Sequence, residues 1–147
     1  MQGALPIQLF GQIPALGVGT SPVTPGGWSP VLLTNGDAGA ITIGQVCYLS
    51  ANDTARKAQS DGTEAEATAI CICIDASIAA AGTGRFVFGG IVTGLSGGTV
   101  NTLGYLSATA GSIAAAPNLT AGQFNVLLGI WQSASKFQFN PQLPILN

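Results

Sequence analysis

At 147 residues with a formal net charge of −2, the chain is one domain long and able to bury a core. Four Lys and Arg in all argue against nucleic acid as a partner, because phosphate binding needs clustered basic groups. Hydrophobic residues make up 47% and charged residues only 7%, against about 25% charged in an ordinary soluble domain, a surface suited to packing against other protein rather than to life as a free monomer.

Residues 1–30 differ in character from the rest. Pro6, Pro14, Pro22, Pro25 and Pro30 recur there, with six glycines between them. Proline fixes φ, lacks a donor and pushes its predecessor toward extended geometry, so a helix is excluded and an inner strand disfavoured. Leu5, Ile7, Leu9, Phe10, Ile13 and Trp28 are nevertheless scattered through it, and disordered tails are poor in such residues. The segment is expected to be an extended arm that orders on another subunit, the alternative being an arm wrapped around its own barrel. Met1 to Pro6 lacks the basic and apolar regions of a signal peptide, so synthesis in a cytoplasm is expected. No apolar run approaches the roughly 20 residues of a spanning helix, and a membrane partner is not expected.

From residue 31 the pattern is β. Residues 31–35 form a short strand ended by Asn35-Gly36-Asp37, a turn signal because Asn and Gly accept positive φ. Residues 40–50 are expected as one long strand. Residues 53–62 hold Asp53, Arg56, Lys57 and Asp61, followed by Glu64 and Glu66, without the register of a calcium loop, and read as a solvated hairpin tip. In residues 68–75, Ile70, Ile72 and Ile74 share one face and Cys71 and Cys73 the other. With no histidine and only Cys47 to help, zinc ligation from Cys and His is incomplete, and C-x-C is not the spacing of a redox pair. Buried free thiols are expected, and an odd cysteine count agrees with a reducing compartment.

Residues 79–84 are a small-residue turn, 85–93 a strand, and 94–98 a Gly/Ser loop without a Walker lysine. Residues 103–141 then give four strands, at 103–107, 112–116, 123–132 and 136–140. In the last, Lys136 and Gln138 alternate with Phe137 and Phe139. Residues 142–147 form a Pro-punctuated apolar tail.

Tyr48-Leu49-Ser50-Ala51 returns as Tyr105-Leu106-Ser107-Ala108, an offset of 57 residues (105 − 48). At the same offset residues 69–74 fall on 126–131, and Arg85-Phe86-Val87-Phe88 resembles Lys136-Phe137-Gln138-Phe139 at 51 (136 − 85). One unit is written twice, too few for a solenoid. The expected fold is all-β, a compact β-barrel or β-sandwich of two similar half-units closing on each other. Its parts are an N-terminal arm (1–30), a barrel domain (31–141) and a C-terminal tail (142–147).

An enzyme is not expected, and no cofactor or metal site is assigned. Without histidine there is no Ser-His-Asp or Cys-His arrangement, and the six carboxylates lie mostly in one hairpin.

The ordered series G-Q-V-x-Y-L-S (44–50), Arg56-Lys57-Ala58, A-x5-D-A (69–76), G-x-G-R-F-V-F-G-G-x-V (82–92), L-G-Y-L-S-A-T-A-G (103–111), Ala116-Pro117 and K-F-x-F-N-P (136–141) resembles the head decoration, or cement, proteins of tailed bacteriophages. It covers about residues 40–141; the long arm departs from the simplest members. The resemblance implies a virion protein on the outer capsid surface, a homotrimeric β-barrel that clamps neighbouring major capsid protein subunits at three-fold positions. The residues expected to touch the capsid are Leu5, Ile7, Leu9, Phe10 and Ile13, with Trp28 at the arm's root. Two other classes stay open: a phage tail or fibre module binding a host receptor, and an intracellular β-barrel holding a small apolar ligand.

Overall fold

The computed structural model describes residues 29–147. The expected capsid contacts, Leu5 to Ile13 and Trp28, lie outside the described residues, as does the arm up to Ser29.

The first unit contains β1 (Val31–Asn35), β2 (Ile41–Thr42), β3 (Val46–Ala51), β4 (Thr54–Lys57), one helical turn α1 (Glu64–Ala67), β5 (Cys71–Cys73), β6 (Ser77–Ile78) and β7 (Thr83–Val87). The second contains β8 (Gly90–Thr93), β9 (Leu103–Leu106), β10 (Ile113–Ala114), β11 (Phe124–Asn125), β12 (Leu127–Ser133), β13 (Lys136–Phe139) and β14 (Ile145–Leu146). The chain is all-β with a barrel, as its alternation and turn residues predict, and the internal repeat is real. The barrel runs β1-β4-β3-β5-β7 and closes on itself; the other main sheet runs β10-β9-β12-β13-β8. Matching β3 to β9, β4 to β10, β5 to β12, β7 to β13 and β1 to β8 makes the two orders identical.

The register repeats as well. Val46 faces Ile72 across β3 and β5, and Leu103 faces Ile130 across β9 and β12. Cys73 faces Phe86, and Trp131 faces Phe137. One extra residue separates the copies, taken up by a bulge between Leu127 and Gly129 in β12.

The expectation that two half-barrels close on each other is corrected. The first unit closes alone, because β1 pairs antiparallel with β7 and parallel with β4. Among the described residues the second stays open, and it packs on the outside of the barrel. Alternation along the barrel strands serves both jobs. Cys47, Cys71, Cys73, Leu33, Ala55 and Phe86 fill the lumen with Ile41 and Ile78. Val46, Ile72 and Val87 point outward into a larger core shared with Leu106, Val126, Leu128, Phe137 and Phe139. Backbone bonds cross the same interface: Val46 N–H to Gly111 O at 3.0 Å, Gly111 N–H to Ala58 O at 2.7 Å, and Phe124 N–H to Ser60 O at 2.8 Å.

Several expected strands are broken. Residues 40–50 divide at Gly44, whose φ of +81° turns the chain between β2 and β3. Residues 85–93 divide at Phe88 and Gly89, where the chain leaves the barrel for the second sheet. Residues 123–132 divide at Val126, because β11 leaves to pair with β14. Glu64 and Glu66 belong to α1 rather than to the hairpin; Thr63 caps it, accepting from Glu66 N while Glu66 accepts from Thr63 N.

Candidate functional site

No cluster of chemically active side chains forms among the described residues. Asp75 accepts from Arg85 twice, from its backbone N–H at 2.8 Å and its Nε at 2.7 Å. The backbone bond and then the guanidinium hold the Asp75 carboxyl below the usual carboxylate range. Asp37 is taken by the Lys57 backbone N–H, at 3.0 Å from Oδ2. Asp37 and Asp75 therefore each accept from a backbone N–H, and the two have separate partners.

The three cysteines are fully buried and free. Desolvation lifts Cys71 to about 12, with the neighbouring Cys73 adding to it. Burial likewise raises Cys47 and Cys73. Thiolate is what attacks and what ligates metal, so these groups are inert as folded. Among the described residues no three His, Cys, Asp or Glu side chains are placed to hold a metal ion. No helix of the described residues is long and apolar enough to cross a membrane.

Two surface features remain. The first is a cleft of about 490 Å³ lined by residues 43–45, 94–97 and 111–115 with Thr99, Thr102 and Trp131. It lies where the second unit is open, between the end of β8 and β10. Trp131 forms one wall, tilted against Phe137 at 4.9 Å between ring centroids. Phe137 has room because its neighbour in β9 is Gly104, where a Cβ would press on the ring. In the barrel copy the matching positions are Cys73, Phe86 and Cys47, so the cleft wall at Trp131 corresponds to a lumen position, Cys73, of the barrel. No charged side chain lines it.

The second feature is an apolar ribbon at the C-terminus. β14 pairs with β11, Leu146 opposite Phe124 and Ile145 opposite Asn125. Asn147 secures the end, its side-chain amide donating to Asn118 O at 2.6 Å and Gln123 O at 3.1 Å. The tail is thus fastened at its end while its apolar side chains are exposed, Leu143 by 80%, Ile145 by 65% and Leu146 by 62%; Leu119, in the loop that Asn147 bonds to, is 72% exposed. Sequence reasoning recognised the tail's apolar character but not the ribbon. The cleft left no local signal at all, being defined by a pairing that does not form.

No family model, curated protein or solved structure matches this chain.

Proposed function

We propose that the chain is a non-enzymatic structural protein of a phage virion that binds the outer capsid surface and stabilises contacts between major capsid protein subunits. The observation that carries the reading is the exposure of Leu143, Ile145 and Leu146 in the C-terminal tail, and of Leu119 in the loop that Asn147 bonds to, in a chain with only 7% charged residues. Large apolar side chains gathered on a charge-poor surface mark a body that is covered by other protein in use. The ordered motif series of residues 40–141 supplies the second support, through its resemblance to head decoration proteins.

Mechanistically, such a protein stabilises the assembled shell by binding it more tightly than separated capsomers, and its effect equals that difference in affinity. The doubled β unit is a rigid body for the purpose. The arm, with Leu5, Ile7, Leu9, Phe10, Ile13 and Trp28, adds reach across a capsomer boundary, and the body associates as a homotrimer. A small apolar ligand inside the barrel is a poorer reading, because Phe86 and the cysteines occupy the lumen.

The test is light scattering coupled to size exclusion, with and without empty shells of the parent phage. A trimer that co-elutes with shells is expected. A monomer that ignores shells would sink the reading. Deletion of residues 1–13 is expected to abolish or sharply weaken shell binding while leaving the β body folded; undiminished binding would remove the arm from the contact.

A further inference from the structure

The two units share one strand order, yet one pairing of the first is missing from the second. In the barrel β1 is bonded on both sides, to β7 and to β4. Among the described residues its counterpart β8 is bonded to β13 alone, and β10 to β9 alone. The second unit therefore ends, among the described residues, in two open edges, with the uncharged cleft beside Trp131 between them. Open edges offer unpaired backbone donors and acceptors, and proteins ordinarily cover them.

We propose that this cleft is the docking site for residues 15–21 of this chain, laid in as a strand between β8 and β10 that bridges the two edges of the second unit. Three observations select that occupant. The cleft lining carries no charged side chain, and residues 1–30 contain none either, so neither surface desolvates a charge on contact. Pro14 and Pro22 bracket a proline-free stretch in which Leu16, Val18 and Thr20 alternate with Gly17, Gly19 and Ser21. Such a strand has one aliphatic face and one nearly bare face, so its backbone can approach closely. The cleft offers matching room, since a Cβ placed on Gly97 would meet nothing within 4 Å.

The third observation is position. Val31 faces Phe86 and Leu32 faces Arg85, which directs the chain ahead of Val31 toward Phe88 and the start of β8 at Gly90. Residues 22–28 can span roughly 23 Å when extended. The four residues of β8 cover only about 13 Å, so this connection reaches the cleft without strain. The inference is independent of shell binding, and leaves residues 5–13 free to serve it.

Hydrogen exchange read by mass spectrometry tests the proposal on the isolated protein. Three chains are compared: the full sequence, one lacking residues 1–14 and one lacking 1–21. Peptides covering β8 and β10 are expected to exchange alike in the first two and about tenfold faster in the third, with β3 and β5 unchanged. Equal rates at β8 and β10 in all three would overturn it. Because the longer deletion can loosen the fold generally, a cross-link in the full chain gives a second arm. Val18→Cys combined with Ala114→Cys, in the cleft, is expected to oxidise in high yield. Val18→Cys with Asn52→Cys, at the barrel hairpin tip, is the control. A bridge within one chain means the arm closes its own unit, and a bridge between chains means copies exchange arms; either supports the docking. A yield no higher than the control's would overturn it.

Discussion

Gly129 concentrates the difference between the two copies in one residue. It sits at the β12 bulge with φ of +152°, and a Cβ there would overlap the Gln138 carbonyl oxygen. Backbone cannot swing aside as a side chain can, so Gly129→Ala is expected to cost about 2–3 kcal/mol, read as a lower denaturation midpoint with unchanged m-value. The Asp75–Arg85 pair works at the opposite end of the scale. Arg85's side chain is more than half exposed, so solvent screening keeps Asp75→Asn below about 1 kcal/mol. Its sign with pH is definite. The folded carboxyl titrates below its unfolded value, so its contribution is complete above about pH 4 and is lost as pH falls through the folded value. Wild type and Asp75→Asn are therefore expected to converge in stability on acidification. The thiols run the other way. Cys71 is raised to about 12 from an ordinary 9.0, so folding is favoured fully below pH 9 and loses support between there and about pH 12. At pH 8 a thiol reagent should label no cysteine of the folded protein and all three after denaturation; rapid labelling of the native chain would contradict the buried lumen.

At the scale of elements, the C-terminal ribbon makes a clear prediction. Removing residues 142–147 takes away β14, the Gly122 N–H to Asn147 O bond at 3.0 Å and both Asn147 side-chain bonds. The side chains lost are exposed, so the cost is a few net hydrogen bonds, about 1–3 kcal/mol. The body should stay folded while limited proteolysis moves to the loop at residues 117–123. The ribbon also shows what a linear sequence can carry. Strands at Val31–Asn35, Leu103–Leu106 and Lys136–Phe139 were legible because each has its own alternation and its own turn residues. The Cys71–Cys73 lumen face was legible for the same reason. The break at Phe88 and Gly89 was not: the alternation of Arg85-Phe86-Val87-Phe88 runs straight into Gly90–Thr93, and only tertiary pairing decides that the chain changes sheets there. The split at Val126 depends likewise on a partner strand some twenty residues on. Repetition was visible as Tyr-Leu-Ser-Ala, but which copy would close was not, since closure rests on β1 reaching β4, a contact with no local signature.

At the scale of the molecule, the two copies are written as separate units but packed as one. The larger core draws Val46, Ile72 and Val87 from the outside of the barrel and Leu106, Val126, Leu128, Phe137 and Phe139 from the open sheet. Neither unit can bury those side chains alone, because the barrel's outer face and the sheet's inner face are each other's cover. Backbone bonds such as Ser60 N–H to Ser107 O at 3.0 Å, with Asn118 donating to the Ser60 hydroxyl at 2.8 Å, tie the same surfaces. Residues 29–147 are therefore expected to unfold in a single transition, with tryptophan fluorescence and far-UV circular dichroism coincident. Phe137→Ala, which empties a fully buried position in the second unit, should cost about 3–5 kcal/mol. It should lower the transition of the barrel strands equally, as followed by their amide exchange. A variant in which the open sheet melts while β3, β5 and β7 keep full protection would show two independent halves. The closed copy would then be a domain in its own right, and the shared core only a contact between neighbours.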